Sequence, residues 1–443
     1  YGVTQSWVFA FTFIGGLFAD KILGLRKSLF WGGILMIIGS IILAVDPVKF
    51  FFVGIGFTIV GTGFFKPNIS SMVGQLYKEG DNRTDAGFSF FYMGVNLGAL
   101  IGGYICIAVA EGSLWQSLVP ESLRWNVGFG FAALVMVISL LTFTQTQKSL
   151  GPIGLSPLGH IETSKRKAFE LATFIGSLLI LPIIILMVEN TEYTKWFMIF
   201  IGPASLIYLF IEMRNFSFSE NKKLIAAIIF MLFSIVFWAF FEQSGGSLSL
   251  FAANNLNNTI AGFTLSPNGV NNSANSFFVI GFAALVGLAW LWMSKRKIEP
   301  NTVIKFGLAF LFLAGGFWVF YYTKFLAGVD GKTSLGLFTF GWFIITFGEL
   351  CLSPIGMSAM TKLSPQKTQA VIMGMWFLAS AYGQYFAGIL GANIANASES
   401  ASNIDKLNIY ADGYQQLAIY ALIAGVILIV ISPFIKKLMQ EVK

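Results

Sequence analysis

Apolar stretches long enough to cross a lipid bilayer recur along the whole chain, and short polar segments separate them. A helix needs about 20 mainly apolar residues to span the hydrocarbon core, and stretches longer than about 25 residues predict tilt or extension beyond the lipid. The pattern predicts thirteen spans, at approximately 3–19, 28–46, 50–77, 85–110, 126–145, 168–189, 195–212, 223–253, 272–293, 303–325, 334–363, 368–397 and 413–435. The chain is therefore predicted to be an all-α, polytopic membrane protein.

Two polar segments divide these spans into groups. Residues 146–167 are rich in Gly, Ser, Pro and basic residues, and a second break runs from 214 to 223. We therefore predict an N-terminal helical bundle in 1–145, a linker with two inserted helices in 146–221, and a six-helix bundle in 222–443. Two bundles joined by a connection are typical of secondary transporters. If both ends of the complete protein are cytoplasmic, the first transmembrane helix is missing from this chain.

Composition agrees with a membrane protein, and the distribution of charge predicts its orientation. The 443 residues are 56% hydrophobic and 11% charged, whereas roughly 25% of residues are charged in a soluble protein. The net charge of +7 might suggest a nucleic-acid partner, but most basic residues fall in alternate loops on one side of the membrane. The other side holds only Lys49, Arg124, Lys195, Lys324, Lys332 and Lys406. By the positive-inside rule, the C-terminus is cytoplasmic and the partner is the lipid bilayer of a plasma or inner membrane.

Three lipid-embedded stretches contain residues that are unusual in a spanning helix. GTGFFKPNISS (61–71) carries Lys66 followed by a proline, FWAFFEQSGGSLSLFA (237–252) carries Glu242 before a Ser/Gly cluster, and GELCLSPIG (348–356) carries Glu349. The glycines of the first stretch should let a neighbouring helix approach closely, and the Ser/Gly cluster of the second should weaken its helix. An ionisable group at that depth is costly unless water or an opposite charge meets it. We expect these three side chains to be the buried charges that carry the chemistry.

Each of these residues also has a purely structural interpretation. Lys66 could hold helices together in an ion pair, and Glu242 and Glu349 could be protonated packing residues. Trp238 and Trp376 could simply fill the core, as most aromatic residues at helical spacing do. Three deep ionisable groups spread over both bundles favour a functional interpretation of the set.

The remaining reactive residues give weaker signals. Cys106 and Cys351 are far apart in apolar helices and match neither a metal site nor a disulfide pattern. His160 lies in the linker, far from the membrane midplane. The uncharged, turn-rich segment 254–275 is predicted to be a solvated loop.

Several motifs resemble those of the proton-dependent oligopeptide transporters (POT) of the major facilitator superfamily. GTGFFKPNISSMVGQLY (61–77) and DAGFSFFYMGVNLGALIGG (85–103) are similar to the fourth-helix and fifth-helix motifs of the family. GGLFADKILGLRK (15–27) resembles the loop between its second and third helices. FWAFFEQSGGSLSLFA and GELCLSPIGMSAMTKLSP (348–365) resemble its seventh and tenth helices. The resemblance covers the whole chain and implies the two-bundle fold with the two-helix insert of bacterial members.

The resemblance implies a role for individual residues. Lys66 would contact the C-terminal carboxylate of a peptide, Asn96 its backbone, and Asn275 with Glu349 its N-terminal amine. Glu242 would take part in proton coupling together with Lys66. The complete set implied to bind substrate is Lys66, Asn96, Trp238, Asn275, Glu349, Ser353 and Trp376.

The sequence departs from the family pattern at its beginning. Residues 1–16 align with the family's second helix, so the E-x-x-E-R motif of the first helix, with its peptide-binding arginine, does not occur here. Phe9 stands where many members have a tyrosine, and Thr12 stands where they have a proline. These differences affect the expected contacts with the peptide carboxylate.

The resemblance implies a proton-coupled symporter of di- and tripeptides that works by alternating access as a monomer, with protons as the coupling ion and no other cofactor. A lysine on one bundle and glutamates on the other would suit the two charged ends of a peptide. A carrier of a small ion such as nitrate is an alternative, although an anion carrier has little use for Glu349. A membrane peptide receptor without transport is another. An enzyme would require a metal cluster or a nucleophile–base pair, which the sequence does not display.

Overall fold

The structure, a computed structural model, describes residues 7–78, 80–110, 115, 117–260, 262–394 and 402–440. Helices make up most of the described chain. In chain order they are α1 (Thr12–Phe18), α2 (Leu25–Val45), α3 (Phe51–Gln75), α4 (Thr84–Ala110), α5 (Arg124–Thr146), α6 (Thr163–Leu179), α7 (Leu181–Glu189), α8 (Thr191–Glu212), α9 (Phe218–Phe241), α10 (Ser247–Asn255), α11 (Pro267–Lys295), α12 (Thr302–Tyr322), α13 (Leu335–Leu363), α14 (Gln369–Ile394) and α15 (Asn403–Met439). Strands β1 (Thr259–Ile260) and β2 (Phe263–Thr264) form a short antiparallel hairpin.

The predicted spans correspond closely to these helices. Within the described residues, ten helical segments are long and apolar enough to cross a membrane, and each coincides with a predicted span. The predicted spans 50–77 and 368–397 form α3 and α14, which lie outside that set of ten. The first predicted span begins before the described residues. The prediction of an all-α, polytopic membrane fold is confirmed.

Two segments differ from the sequence-based expectation. The predicted span 168–189 is divided into α6 and α7 at Ile180, because Pro182 begins a new helix and cannot continue the old one. The segment 254–275 was expected to be a solvated loop, but it contains the hairpin, and α11 already begins at Pro267. Asn271 in this helix is buried, and its Nδ2 donates to the carbonyl oxygen of Ser244 at 2.8 Å. The turn-forming residues at the end of this segment therefore begin a helix and do not continue the loop.

The chain divides into two compact units. Unit 1 comprises Tyr1–Glu79, Gly98–Asn221 and Met360–Ala381. Its helices α2 and α3 approach closely through glycines: a Cβ on Gly32 would lie 2.5 Å from the carbonyl oxygen of Gly61. Such contacts between small residues stabilise helix pairs in lipid, where apolar burial drives little association. The glycines of the 61–71 motif therefore have the packing role predicted for them.

The inserted helices α6 to α8 contact the rest of unit 1 through paired polar and aromatic side chains. Trp7 stacks on Phe197 of α8 with 4.0 Å between ring centroids, and its Nε1 donates to Oγ1 of Thr194 at 2.7 Å. Lys27 at the start of α2 forms an ion pair with Glu170 of α6 at 2.6 Å. The insert is thus anchored at both ends of its length to the helices that precede it in the chain.

Unit 2 comprises Gly80–Leu97, Lys222–Ala359 and Tyr382–Lys443. It contains a buried ion cluster: Nζ of Lys305 lies 2.7 Å from Oδ2 of Asp85 and 2.5 Å from Oε1 of Glu299. The Lys305 side chain is only 2% exposed. The expectation that Lys66, Glu242 and Glu349 would be the buried charges was therefore incomplete, because it missed this cluster. Its members lie near helix ends, where the depth within a predicted span does not indicate burial.

Candidate functional site

Lys66 is held in α3 by aromatic rings of unit 1. The helix continues through Pro67, which cannot donate a backbone hydrogen bond. The half-buried Lys66 places its Nζ 3.4 Å from the ring centroid of Phe9 and 4.9 Å from that of Phe377. Cation–π attraction of this kind offsets part of the cost of removing an ammonium from water.

The two departures from the family pattern take part in this arrangement. Phe9, in the place of a tyrosine, provides the ring beneath the ammonium of Lys66. Thr12, in the place of a proline, is fully buried and donates from Oγ1 to the carbonyl oxygen of Gly374 at 3.0 Å. This bond joins α1 to α14, the helix that also carries the buried Trp376. Both substitutions therefore have defined contacts in unit 1.

Glu349 is the centre of a polar cluster in unit 2. Its side chain in α13 is buried, with 3% of its surface exposed. Asn275 donates from Nδ2 to Oε2 at 2.5 Å, and the hydroxyl of Tyr92 donates to Oε1. Both donors are neutral, so the carboxylate is hydrogen-bonded by groups that do not cancel its charge. A cationic group could supply that compensation.

Asn96 and Ser353 belong to the same region of unit 2. Asn96 lies one turn after Tyr92 in α4, and its Nδ2 donates to the Tyr92 carbonyl oxygen at 3.1 Å. Ser353 follows Glu349 by one turn in α13 and is also buried. Tyr92 itself was missed by the sequence analysis. The four-residue spacing of Tyr92 and Asn96 within the fifth-helix motif was the signal that could have identified it.

Glu242 lies where the helix changes its geometry. Helix α9 ends at Phe241, residues Glu242–Gly245 form a 3₁₀ turn, and α10 begins at Ser247. The predicted weakening of the helix by the Ser/Gly cluster is thus confirmed. Gln384 donates from Nε2 to Oε1 of Glu242 at 3.3 Å. One turn earlier, Trp238 packs edge to face against Phe241 with 5.1 Å between centroids.

The predicted site residues are distributed over both units. Unit 1 contains Lys66 and Trp376, and unit 2 contains Asn96, Trp238, Glu242, Asn275, Glu349 and Ser353. Direct contact joins Asn275 to Glu349, and Tyr92 links this pair to Asn96. A meeting of Lys66 with the two glutamates stays a prediction. Over the described ranges, no three His, Cys, Asp or Glu side chains are grouped as a metal site would require.

Comparisons with known proteins place this arrangement in context. The model of the family described as "PTR2: POT family" matches residues 26–409. The uncharacterized transporter YclF of Bacillus subtilis (strain 168) is 32% identical over 448 residues, covering 99% of this chain and 85% of YclF. The peptide transporter YePEPT of Yersinia enterocolitica is 30% identical over 446 residues, covering 96% of this chain and 83% of YePEPT.

Solved structures are similar over nearly the whole chain. A POT family transporter in complex with a thioalcohol-conjugated peptide superimposes with a TM-score of 0.73 at 27% identity, covering 98% of this chain and 87% of that one. A peptide transporter POT in complex with sulfate gives a TM-score of 0.69 at 31% identity, with 99% and 86% covered. With a family model that matches most of its length and relatives of this similarity, the chain belongs to the POT family of multi-span membrane transporters.

Proposed function

We propose that the chain is a proton-coupled symporter that imports di- and tripeptides by alternating access. The observation that carries this proposal is the buried Glu349 carboxylate, which receives hydrogen bonds from the neutral Tyr92 and Asn275. A carboxylate within a spanning helix is costly unless a cation or a proton neutralises it. The N-terminal ammonium of a peptide would supply that charge and use the remaining acceptor positions of the carboxylate.

Lys66 is the proposed partner for the other end of the substrate. Phe9 and Phe377 contact its ammonium by their ring faces. A peptide carboxylate would form a charge-assisted hydrogen bond with this ammonium. Because the backbone and the two termini are common to all short peptides, these contacts would permit many side chains. Asn96, Trp238, Ser353 and Trp376 are the further residues proposed to contact the peptide.

Glu242 is the proposed proton-coupling residue. It occupies the 3₁₀ turn between α9 and α10, where the regular helical hydrogen bonds are interrupted. A change in its protonation would alter its bond with Gln384 on α14. We propose that this change permits the conformational step that opens the site, with Lys66 as its charge partner.

The relatives support a peptide as the substrate. Proteins named as peptide transporters from Yersinia enterocolitica and Lactococcus lactis are each 30% identical to this chain over most of their length. We further propose that a single chain is sufficient for transport, that it resides in the inner membrane, and that its C-terminus is cytoplasmic.

Uptake of a labelled dipeptide into proteoliposomes tests this function. An inward proton gradient should drive accumulation of the dipeptide, and Glu242→Gln should abolish that accumulation while it preserves exchange of internal for external dipeptide. Glu192→Gln, at an exposed position, is the matched control and should behave as the unmodified protein.

Three results would contradict the proposal. Accumulation by Glu242→Gln that still follows the proton gradient would exclude Glu242 as the coupling residue. Nitrate uptake without dipeptide uptake would indicate a carrier of small ions. Saturable dipeptide binding without any flux would indicate a receptor.

A further inference from the structure

A groove of about 390 Å³ in unit 1 is lined by α2, α5 and the inserted helix α6. Phe30, Trp31 and Ile34 of α2 and Phe174 of α6 provide its apolar walls, and Thr144 of α5 lies at its rim. Its volume is within the usual range for a site that holds a small molecule. The lining comes from three helices, one of which belongs to the insert, so the groove exists only because the insert packs there.

The wall contributed by the insert is firmly attached. The rings of Trp31 and Phe174 lie 4.7 Å apart between centroids, and Nε1 of Trp31 donates to Oγ of Ser177 at 3.0 Å. This bond satisfies the polar atom of the indole and leaves its apolar surface toward the groove. Phe30 is 39% exposed on the outer surface of α2. A large aromatic side chain so exposed in a membrane protein is available to lipid.

One end of the groove is cationic. Lys27 and Arg166 both contact Oε1 of the buried Glu170, at 2.6 and 3.2 Å, and Arg26 also lines this end. The Arg26 guanidinium donates to two backbone carbonyl oxygens in the segment 151–153, at 2.6 and 2.7 Å. Those bonds orient the guanidinium without neutralising it. Lys27 and Arg166 therefore share one carboxylate, and the lining residues Arg26 and Lys27 give this end of the groove a positive excess.

Along α2, basic residues come first and apolar residues follow, in the same order as the headgroup and the acyl chains of a phospholipid. The helix begins at Leu25, so Arg26 and Lys27 lie in its first turn, and Phe30 and Ile34 follow one and two turns further into the apolar span. Tryptophan is enriched at the same depth, where lipid headgroups meet hydrocarbon. Basic side chains at the end of a spanning helix attract anionic headgroups.

We propose that this groove binds one anionic glycerophospholipid, with its phosphate group at the Arg26–Lys27 end and an acyl chain along the apolar walls. The headgroup end is the one that the charge distribution predicts to be cytoplasmic. This proposal is independent of the transported substrate, since none of the groove residues belongs to the predicted site. It also gives the inserted helix α6 a function as one wall of a lipid site.

Native mass spectrometry of the full chain tests the proposal with two lipids that have identical acyl chains, phosphatidylglycerol and phosphatidylethanolamine. The protein should retain phosphatidylglycerol preferentially. Thr144→Trp should fill the groove and abolish the preference. Thr142→Trp is the matched control, because both threonines are exposed on α5 and each donates its hydroxyl to the carbonyl oxygen four residues earlier. This control should retain the preference.

A second pair of variants tests the charge. Lys27→Gln should weaken retention of phosphatidylglycerol, and Lys27→Arg should restore it. Inorganic phosphate in excess should not displace the lipid, because the acyl chain contributes to binding. Displacement by phosphate would reduce the site to an anion site and overturn the proposal for a lipid.

Quenching of fluorescence provides a measurement on the unmodified fold. Phosphatidylglycerol with brominated acyl chains should quench the unmodified protein more than Trp31→Phe, since the chain would lie beside Trp31. Equal quenching of the two proteins, or equal lipid retention by the Thr144 and Thr142 variants, would refute the proposal. Loss of a dimer in Thr144→Trp without any change in lipid would show that a second copy occupies the groove instead.

Discussion

Replacement of Lys305 by methionine should destabilise the protein strongly. The ammonium lies 2.7 Å from Asp85 and 2.5 Å from Glu299, and the side chains of Lys305 and Asp85 are 2% and 7% exposed. Methionine keeps the approximate volume and removes the charge, so both carboxylates lose their contact with the Lys305 ammonium. Removal of one partner from a buried ion pair typically costs about 3–5 kcal/mol. We expect the free energy of unfolding to fall by that amount.

The chain offers a control with the same substitution in the same unit. Lys324 lies 2.6 Å from Asp412, whose side chain is 59% exposed. Solvent screens this pair, so Lys324→Met should cost at most about 1 kcal/mol. The two lysines make similarly short contacts but differ in the exposure of their partners, and Lys305 contacts two carboxylates. The comparison therefore isolates burial from distance.

Unfolding in detergent micelles by titration with sodium dodecyl sulfate, followed by circular dichroism, would measure both changes. The double variant Lys305→Met, Asp85→Asn should recover part of the loss, because it also removes one of the carboxylates left without a cation. A Lys305→Met cost no larger than that of Lys324→Met would refute the reasoning. It would show that water reaches the cluster and screens it as it does at the surface.

Three further predictions concern individual charges. Glu349→Gln should lower affinity for a dipeptide about tenfold or more, because a charge-assisted hydrogen bond contributes about 1.5–3 kcal/mol. The same variant should not alter affinity for the N-acetylated dipeptide. Titration calorimetry would measure both affinities, and equal losses would contradict the assignment of Glu349 to the peptide amine. Lys66→Met should weaken binding of the same dipeptide but not of its C-terminal amide, and weaker binding of both would indicate a structural role. Burial raises the pKa of Asp20 from 3.8 to about 8, against a hydrogen bond from the backbone N–H of Val371. Because the folded state then holds the proton more tightly than the unfolded state, stability present at pH 4 should be lost as pH rises toward 8, by up to about 1.4 kcal/mol per pH unit. Asp20→Asn should flatten this dependence of stability on pH in unfolding titrations. An unchanged dependence would show that other groups cause it.

The helices and the helix-breaking motif at Glu242 could be predicted from the sequence because they depend on local signals. Long apolar runs give the spans, and a Ser/Gly cluster after Glu242 weakens the helix where the structure has its 3₁₀ turn. Glycines of the 61–71 motif likewise indicated close packing. Such features require knowledge of only a few neighbouring residues.

The partners of the site residues could not be predicted in the same way. Phe377, whose ring lies 4.9 Å from Nζ of Lys66, is more than 300 positions away in the sequence. Gln384 lies 142 positions from Glu242, to which it donates. These contacts depend on how helices pack, which apolar periodicity does not specify when most faces are apolar. The Lys305 cluster was missed for the related reason that burial in packed protein differs from depth in the membrane.

The partners of a buried carboxylate distinguish a structural role from a functional one better than its burial does. Asp85 and Glu349 are comparably buried, with 5% and 3% of the whole residue exposed. Asp85 has the ammonium of Lys305 at 2.7 Å, so its charge is already compensated and a ligand could add little. Glu349 is held by the neutral Tyr92 and Asn275, which fix its position but leave its charge to be neutralised. A proton or an ammonium that arrives at Glu349 therefore gains interaction energy that the fold has not already used. This difference argues that Glu349, and not Asp85, is the carboxylate in unit 2 at which a cationic substrate group binds.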